Sequence, residues 1–206
     1  MTFPDQKFTD AAAYADAYFA QVSAAAATVD RAKVEAAAAI LTVAYATGQT
    51  VYVCGNGGSA AIANHLVCDH CKGVATDTPL MPRVVSLSTN IEVITAIAND
   101  ISYDEVFAHQ LKYLGTEGDI LVTVSSSGDS ENVVRAATWA KDNGLTVISL
   151  TGFEGGRSGS LADIHLHVDA DNYGVAEDVH QSLMHILAQY IRQAHMEEAT
   201  ISGRKF

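Results

Sequence analysis

The chain has 206 residues, 49% of them hydrophobic, and carries a formal net charge of −12 at pH 7. This length and composition can bury one full core, so we expect a single domain over residues 1–206. The negative charge disfavours nucleic-acid and anionic-membrane partners, because both would be repelled. With only 12 Lys and Arg, an anion would have to bind locally, through backbone N–H groups, hydroxyls or a helix N-terminus.

The N-terminus and the cysteines indicate a cytoplasmic protein. No basic start precedes an apolar run, and no stretch approaches the roughly 18 apolar residues of a membrane span. The three cysteines, Cys54, Cys68 and Cys71, are an odd number, which favours reduced thiols over a disulfide framework.

Residues 1–48 are predicted to contain a helical hairpin. From Thr9 the sequence is rich in Ala and has no Gly or Pro until Gly48. Asp30 is placed to cap the second helix, and Gly48 is suited to end it. Two helices of mostly small residues bury little alone, so we expect them to pack on the main domain or on a partner subunit.

Five apolar runs follow, rich in β-branched residues and separated by helix-length segments. They occupy residues 51–54, 83–87, 119–124, 145–150 and 163–168. The alternation is typical of βα units, and it predicts an α/β fold with five parallel strands between two helical layers, over residues 49–198. A long amphipathic helix over 175–198 ends this core. Ligands of such folds bind at the carboxyl ends of the strands, where the strand order reverses.

The first strand leads into a Gly-rich loop, GNGGS, at residues 55–59. Its glycines allow close approach of a ligand, and Asn56 and Ser59 offer hydrogen bonds at a helix N-terminus. A tight strand-to-helix turn would explain the same glycines. The loop matches neither the dinucleotide-binding G-x-G-x-x-G motif nor the Lys-containing P-loop, so we expect no nucleotide cofactor.

The third strand leads into SSSGDSEN, residues 125–132. Its four serines, Ser125, Ser126, Ser127 and Ser130, surround a glycine where a helix begins, an arrangement that suits a phosphate. Ordinary helix capping would explain one or two of these hydroxyls but not readily four. The loop therefore predicts a phosphate site.

Two helices carry side chains suited to proton transfer. His65 and Asp69 stand four apart and share a helix face, and Glu177, Gln181 and His185 repeat at the same spacing. If the helices meet over the carboxyl edge of the sheet, these groups could form an acid/base pair or a divalent-metal site. Solvated side chains on separate helices are the alternative.

Asn99 and Asp100 end a helical stretch, TNIEVITAIAND, and precede YDEVF. They could line the loop after the second strand, or they could cap the next helix. Capping is the safer interpretation of such a pair.

Five motifs in order resemble the sugar isomerase (SIS) domain family, and most of all its phosphoheptose isomerases. They are GNGGS, AIAND-x-x-YDEVF, VSSSGDSENV, ISLTG-x-x-GG and QSLMHILAQ, and the likeness spans residues 14–192. It implies a flavodoxin-like fold and an isomerase that converts sedoheptulose 7-phosphate to D-glycero-D-manno-heptose 7-phosphate through an enediol, for heptose-containing glycans. It also implies a homotetramer in which the N-terminal hairpin completes a helical bundle.

By motif position, the resemblance implies roles for individual residues. Asp69 and His185 would be the acid/base pair. Zinc or another divalent metal would be held by His65, Asp69, Glu177 and His185. The substrate would contact Asn56, Gly57, Ser59, Asn99, Asp100, Ser125, Ser126, Ser127, Ser130 and Glu177.

Two of these positions depart from the family pattern. Asp69 stands where the family has Glu, which pulls the carboxylate back by one methylene. Glu177 stands where zinc-containing relatives have Gln, and its charge would favour a divalent metal more strongly. Glu177 is also the alternative base if Asp69 does not reach the substrate. A non-catalytic SIS sugar-phosphate sensor or replication-initiator-binding protein, and an isomerase of a different ketose phosphate, stay open.

Overall fold

A computed structural model describes residues 3–206 and contains the predicted five-stranded parallel sheet. The strand order is β2-β1-β3-β4-β5, and every neighbouring pair is parallel. The bounds are β1 Thr50–Gly55, β2 Arg83–Ser86, β3 Ile120–Ser125, β4 Thr146–Thr151 and β5 Ile164–His167. Each bound lies within one residue of the sequence prediction, because the apolar runs mark the stretches buried between helical layers.

The helices fill the segments between the strands and both ends of the chain. They are α1 Ala11–Thr28, α2 Arg31–Thr47, α3 Gly58–Cys68, α4 Ile91–Asp100, α5 Ala108–Leu114, α6 Glu131–Asp142, α7 Gly156–Leu161, α8 Tyr173–His195 and α9 Glu198–Ile201. A π-helical segment, Asp69–Val74, continues α3, and a 3₁₀ turn, Tyr103–Glu105, precedes α5. Between residues 3 and 206, no helix is both long and apolar enough to cross a bilayer.

The predicted hairpin is present as α1 and α2. The Asp30 side chain accepts a hydrogen bond from the N–H of Ala32 at 2.9 Å, which caps α2. Gly48 ends α2 in the left-handed conformation, with φ of 85°. The hairpin packs on the main domain, with α1 against α8 and α2 against α8 and β5. Residues 1 and 2, inside the range predicted for the hairpin, lie outside the described part.

Alternate side chains of β1 enter two separate cores. Val51 and Val53 pack with buried residues of α2, α3 and α8 on one face of the sheet. Tyr52 and Cys54 pack with buried residues of α4, α5 and α6 on the other. This period of two, with helices on both faces, is the three-layer αβα sandwich that the sequence predicts.

The strand order reverses between β1 and β3, which are neighbours although β2 lies between them in the sequence. The helices that follow these two strands pack on opposite faces, α3 on one and α6 on the other. A crevice therefore opens at the carboxyl ends of β1 and β3, where such folds bind ligands. Because α8 packs against α3, this long helix borders the crevice.

Candidate active site

The loop after β1 contacts the carboxylate of Glu177 on α8. β1 ends at Gly55 and α3 begins at Gly58, with Gly57 turning the chain at φ of 55°. A Cβ at Gly58 would lie only 2.3 Å from Oε2 of Glu177, so a larger residue at this position would push the carboxylate aside. Glu177 thus rests at the N-terminus of α3, where the helix dipole favours negative charge.

The four predicted hydroxyls of the serine loop divide into two roles. Ser125 Oγ and Ser127 Oγ each accept a hydrogen bond from the loop's own backbone N–H groups, at 3.2 Å. Ser126 Oγ is buried and has no partner among residues 3–206. Ser130 is the N-cap residue of α6, yet its side chain makes no capping bond. Turn formation accounts for two of the hydroxyls, and the other two are left for a ligand.

The two loops enclose a cavity of about 140 Å³. It is lined by Asn56, Ser59, Val124, Ser125, Ser126, Ser127, Ser130, Tyr173 and Glu177. The lining has no cationic side chain, so an anion here would be held by hydroxyls, amide N–H groups and the N-termini of α3 and α6. Burial raises the pKa of the Glu177 carboxyl, and the neighbouring Asp178 raises it further.

The loop between β4 and α7 supports the serine loop from outside. A Cβ at Gly128 would lie 2.1 Å from the carbonyl oxygen of Gly155, so the two loops touch backbone to backbone. Arg157 Nε donates to Oδ1 of Asp129 at 2.9 Å, and another guanidinium nitrogen donates to Glu131 at 2.9 Å. This guanidinium lowers the pKa of the Asp129 carboxyl, so the contact stays charged at neutral pH.

Asp69 and His185, predicted to meet only if α3 and α8 meet, are in contact. Oδ2 of Asp69 lies 2.8 Å from Nδ1 of His185, and Oδ1 lies 3.2 Å from Nε2 of His65. The amide nitrogen of Gln181 lies 3.1 Å from Nδ1 of His65 and 3.0 Å from Nε2 of His185. The four side chains therefore form a closed ring of contacts, three of which are hydrogen bonds, with the fourth an ion-pair contact between His65 and Asp69.

This ring is satisfied when both imidazoles are neutral. The Gln181 amide has two hydrogens and can donate one to each imidazole. Each imidazole then carries its proton on the other nitrogen, which faces an oxygen of Asp69, and His185 donates this proton to Oδ2 of Asp69. The carboxylate thereby fixes the tautomer of His185, with its proton on Nδ1.

Two imidazoles and one carboxylate also form a candidate metal site. His65, Asp69 and His185 each offer one ligand atom, and these atoms lie within 4.8 Å of one another. This donor set suits Zn²⁺, so the residues fit a divalent ion. Glu177 is not in the group, because its carboxylate rests against Gly58 one helical turn away from Gln181. Gln181, which the prediction did not include, lies beside the other three.

Asn99 and Asp100 are exposed at the end of α4 and do not line the cavity. Nδ2 of Asn99 donates to Oδ1 of Asp100 at 2.7 Å. The predicted capping role is wrong, because the next helical turn follows Ser102 and has no side-chain cap. Gly57 is also absent from the lining, and its role is the turn itself.

Sequence reasoning missed other residues of the site. Tyr173 lines the cavity, and Asn132 and Tyr103 contact Asn56. Asn132 and Tyr103 belong to the motifs SSSGDSEN and YDEVF, so the sequence indicated that they lie near the site. It did not indicate that they contact Asn56, because Asn56 is far from both in sequence.

A larger cavity, of about 480 Å³, lies between α1 and the loops after β4 and β5. Three carboxylates, of Glu154, Asp169 and Asp171, line it, and they would repel a phosphate. The smaller cavity beside the serine loop is therefore the better candidate.

A family model described as the SIS domain matches residues 13–152. The phosphoheptose isomerase of Nitratidesulfovibrio vulgaris is 42% identical over 147 residues, which are 71% of this chain and 70% of that protein. The phosphoheptose isomerase of Mycobacterium tuberculosis is 37% identical over 168 residues, 80% of this chain and 85% of that protein.

Solved structures agree. A phosphoheptose isomerase from Francisella tularensis superposes with a TM-score of 0.81 at 31% identity, covering 90% of this chain and 100% of that one. One from Neisseria gonorrhoeae also gives 0.81, at 29% identity, covering 89% and 100%. The chain therefore belongs to the SIS domain family.

Proposed function

We propose that this chain is a phosphoheptose isomerase, an aldose-ketose isomerase that converts sedoheptulose 7-phosphate to D-glycero-D-manno-heptose 7-phosphate. The observation that carries the proposal is the 2.8 Å contact of Asp69 with His185. Glu177, which lies two turns before His185 on the same helix, α8, lines a phosphate-sized cavity rich in hydroxyls. The similarity to phosphoheptose isomerases supports the choice of substrate.

The phosphate end of the substrate would bind at the serine loop. Ser126 and Ser130 have hydroxyls that the fold does not use, and α6 begins there. Hydroxyl donors and a helix N-terminus can hold a dianion in a protein that is itself acidic. Asn56 and Ser59, on the opposite wall of the cavity, would contact the sugar.

The geometry of α8 suits a long substrate. Glu177, Gln181 and His185 lie on successive turns, spaced by about 6 Å along the helix axis. Glu177 lines the phosphate cavity, whereas His185 lies two turns further on, beside Asp69. An extended sugar bound by its phosphate at the serine loop can therefore present its other end to Asp69 and His185.

In the proposed reaction, the Asp69 carboxylate removes a proton from carbon 1 of the open-chain ketose, which gives an enediol. The same carboxylate returns the proton to carbon 2. His185 would shuttle the second proton: its unprotonated Nε2 accepts a proton from the oxygen on carbon 1 and delivers it to the oxygen on carbon 2. Glu177 is a second candidate for the base, because it lines the cavity and burial raises its pKa towards neutrality.

His65, Asp69 and His185, with the amide of Gln181, would hold a divalent ion such as zinc. When bound, the ion supplies a positive charge that polarises the substrate carbonyl. Asp69 would then have to act as ligand through one carboxylate oxygen and as base through the other.

We further propose a single-domain chain that forms a cytoplasmic homotetramer through its N-terminal hairpin and serves the synthesis of heptose-containing glycans. Phe19 on α1 is 68% exposed and Ile186 on α8 is 50% exposed. Because α1 packs on α8, these apolar side chains belong to neighbouring helices that a second subunit could cover.

The rival functions make different demands on the site. A sugar-phosphate sensor or a replication-initiator-binding protein needs no acid/base pair, whereas here Asp69 and His185 are in contact. An isomerase of another ketose phosphate would use the same groups, and only substrate tests separate it from the proposed enzyme.

The deciding experiment is an NMR assay of the purified, metal-analysed protein with sedoheptulose 7-phosphate in deuterated water. We expect aldoheptose 7-phosphate with deuterium at carbon 2, since a carboxylate exchanges its proton with solvent. Binding without turnover, with or without added zinc, would favour a sensor. Turnover of a different ketose phosphate alone would change the substrate.

A further inference from the structure

Asn56 and Asn132 join the two loops of the cavity through a reciprocal pair of amide hydrogen bonds. Nδ2 of Asn56 donates to Oδ1 of Asn132, and Nδ2 of Asn132 donates to Oδ1 of Asn56, both at 2.9 Å. Asn56 follows β1, whereas Asn132 lies in the first turn of α6, after β3. The pair therefore spans the crevice where the strand order reverses.

The backbone fixes the direction of this pair. The N–H of Val133 donates to Oδ1 of Asn132 at 2.9 Å, so this atom must be the amide oxygen. The other atom of the Asn132 amide is then the NH₂ group, and it must face an oxygen of Asn56. Asn132 is 2% exposed, so water cannot compensate for a reversed amide.

Tyr103 completes the arrangement at the surface. Its hydroxyl lies 2.8 Å from Oδ1 of Asn56, and because that oxygen only accepts, the hydroxyl donates. Oδ1 of Asn56 thus receives two hydrogen bonds. One hydrogen of Nδ2 goes to Asn132, and the second is the polar hydrogen that Asn56 has left for the cavity it lines.

We propose that Asn132 and Tyr103 are positioning residues that lock the Asn56 amide so that it presents an N–H donor to the sugar portion of the substrate. The inference rests on the proposed function, since it assumes a sugar phosphate in this cavity. A fixed N–H selects an acceptor, such as the carbonyl or a hydroxyl oxygen of the sugar. A reversed amide would present an oxygen and reject the carbonyl of an open-chain ketose.

The test compares binding of sedoheptulose 7-phosphate with binding of inorganic phosphate, by calorimetry. Three variants are needed, Tyr103→Phe, Asn132→Ala and Asn56→Ala, together with the two double variants that contain Asn56→Ala. Inorganic phosphate needs only the serine loop, so it reports damage to that loop. The sugar phosphate reports the state of Asn56 as well.

We expect Tyr103→Phe and Asn132→Ala each to weaken sugar-phosphate binding by about three- to tenfold, the effect of one hydrogen bond, with inorganic phosphate changed by less than about twofold. Neither change should weaken binding further once Asn56 is Ala. In turnover, Tyr103→Phe should raise KM with kcat nearly unchanged, because the missing bond lies away from Asp69 and His185.

Equal losses for both ligands, or losses that persist in the Asn56→Ala background, would overturn the proposal and leave Asn132 and Tyr103 a structural role. Asn132 is buried, so its variant also needs a check of folding by thermal unfolding, whereas exposed Tyr103 loses only a hydroxyl and keeps the test decisive. Wild-type protein that binds the sugar phosphate without isomerising it would end the isomerase proposal and leave this one standing. Wild-type protein that binds no sugar phosphate would overturn both.

Discussion

His185 donates from Nδ1 to Oδ2 of Asp69 across 2.8 Å, which ties α8 to the start of the π-helical segment that follows α3. The two residues are 116 positions apart in sequence. Their contact brings a titratable imidazole and a carboxylate together at one end of the candidate site. π-helical turns often occur at functional sites, and here one begins at Asp69.

Replacing Asp69 by Asn should lower kcat by about 10²- to 10⁴-fold, because a general base is lost while the shape of the side chain is kept. Asp69→Glu, which keeps a carboxylate, should have a kcat less than about tenfold below the wild-type value. The measurement is kcat with sedoheptulose 7-phosphate, with thermal unfolding to exclude misfolding. The control is Asp142→Asn, an exposed carboxylate on α6. An Asp69→Asn enzyme as active as the control would remove Asp69 from the chemistry.

Glu177→Gln should separate the two candidate bases. If Asp69 is the base, kcat should stay within about tenfold of the wild-type value, less than removal of a general base costs. Removing a negative charge beside the serine loop should also tighten binding of inorganic phosphate about fivefold, since two charges about 4 Å apart in water repel by about 1 kcal/mol. A loss of kcat of a hundredfold or more would assign the base to Glu177 instead.

Arg157→Ala should weaken phosphate binding about three- to tenfold, because the serine loop loses the donors that hold Asp129 and Glu131. Arg135→Ala is the matched control: it removes the same charge and a partner of Glu131, but Arg135 makes no contact with Asp129. Calorimetry with inorganic phosphate gives the comparison. Equal losses in the two variants would mean that net charge, rather than support of the loop, sets the affinity.

The layers of the fold were predictable because they follow from local pattern. Apolar runs between helix-length segments marked all five strands, and Asp30 and Gly48 marked the ends of α2. The surplus of hydroxyls after β3 also indicated which loop has groups left for a phosphate. Each of these signals lies within a few residues of the feature that it predicts.

The contacts between distant segments were not predictable in this way. Glu177, Gln181 and His185 share a face of α8, and spacing alone cannot tell which of them meets α3 at His65 and which meets it at Gly58. The answer depends on the position of α8 along the axis of α3, which is determined by packing across the whole core. The amide pair of Asn56 and Asn132 was hidden for the same reason.

The chain should lose stability as the pH falls from about 6.5 towards about 4. Burial lowers the pKa of His180 from 6.5 to about 4. In this range the unfolded chain binds a proton that the folded chain excludes, so stability rises with pH and is lost on acidification. One such group gives a slope of about 1.4 kcal/mol per pH unit. His180→Leu should flatten the slope of unfolding free energy against pH, as measured by urea denaturation. An unchanged slope would show that His180 does not contribute to the pH dependence of stability, for example because it is also protonated in the folded protein.

Zinc binding should depend on Gln181 and not on Glu177. After treatment with a chelator, we expect the wild-type protein to take up about one zinc per chain in a titration followed by calorimetry. His65→Ala should weaken zinc binding by more than about a hundredfold, since even loss of an outer partner costs about 10- to 100-fold.

Gln181→Ala should weaken zinc binding by about 10- to 100-fold, because its amide lies within 3.1 Å of both imidazoles and can turn its oxygen to a metal. Glu177→Gln, a change one helical turn away, should alter zinc affinity by less than about threefold, the effect of one distant charge. Because this comparison uses affinity alone, it does not depend on which residue is the base. Suppose instead that Glu177→Gln weakened zinc binding as much as Gln181→Ala. Glu177 would then have to be a zinc ligand, and its carboxylate would have to move away from Gly58 to bind the ion.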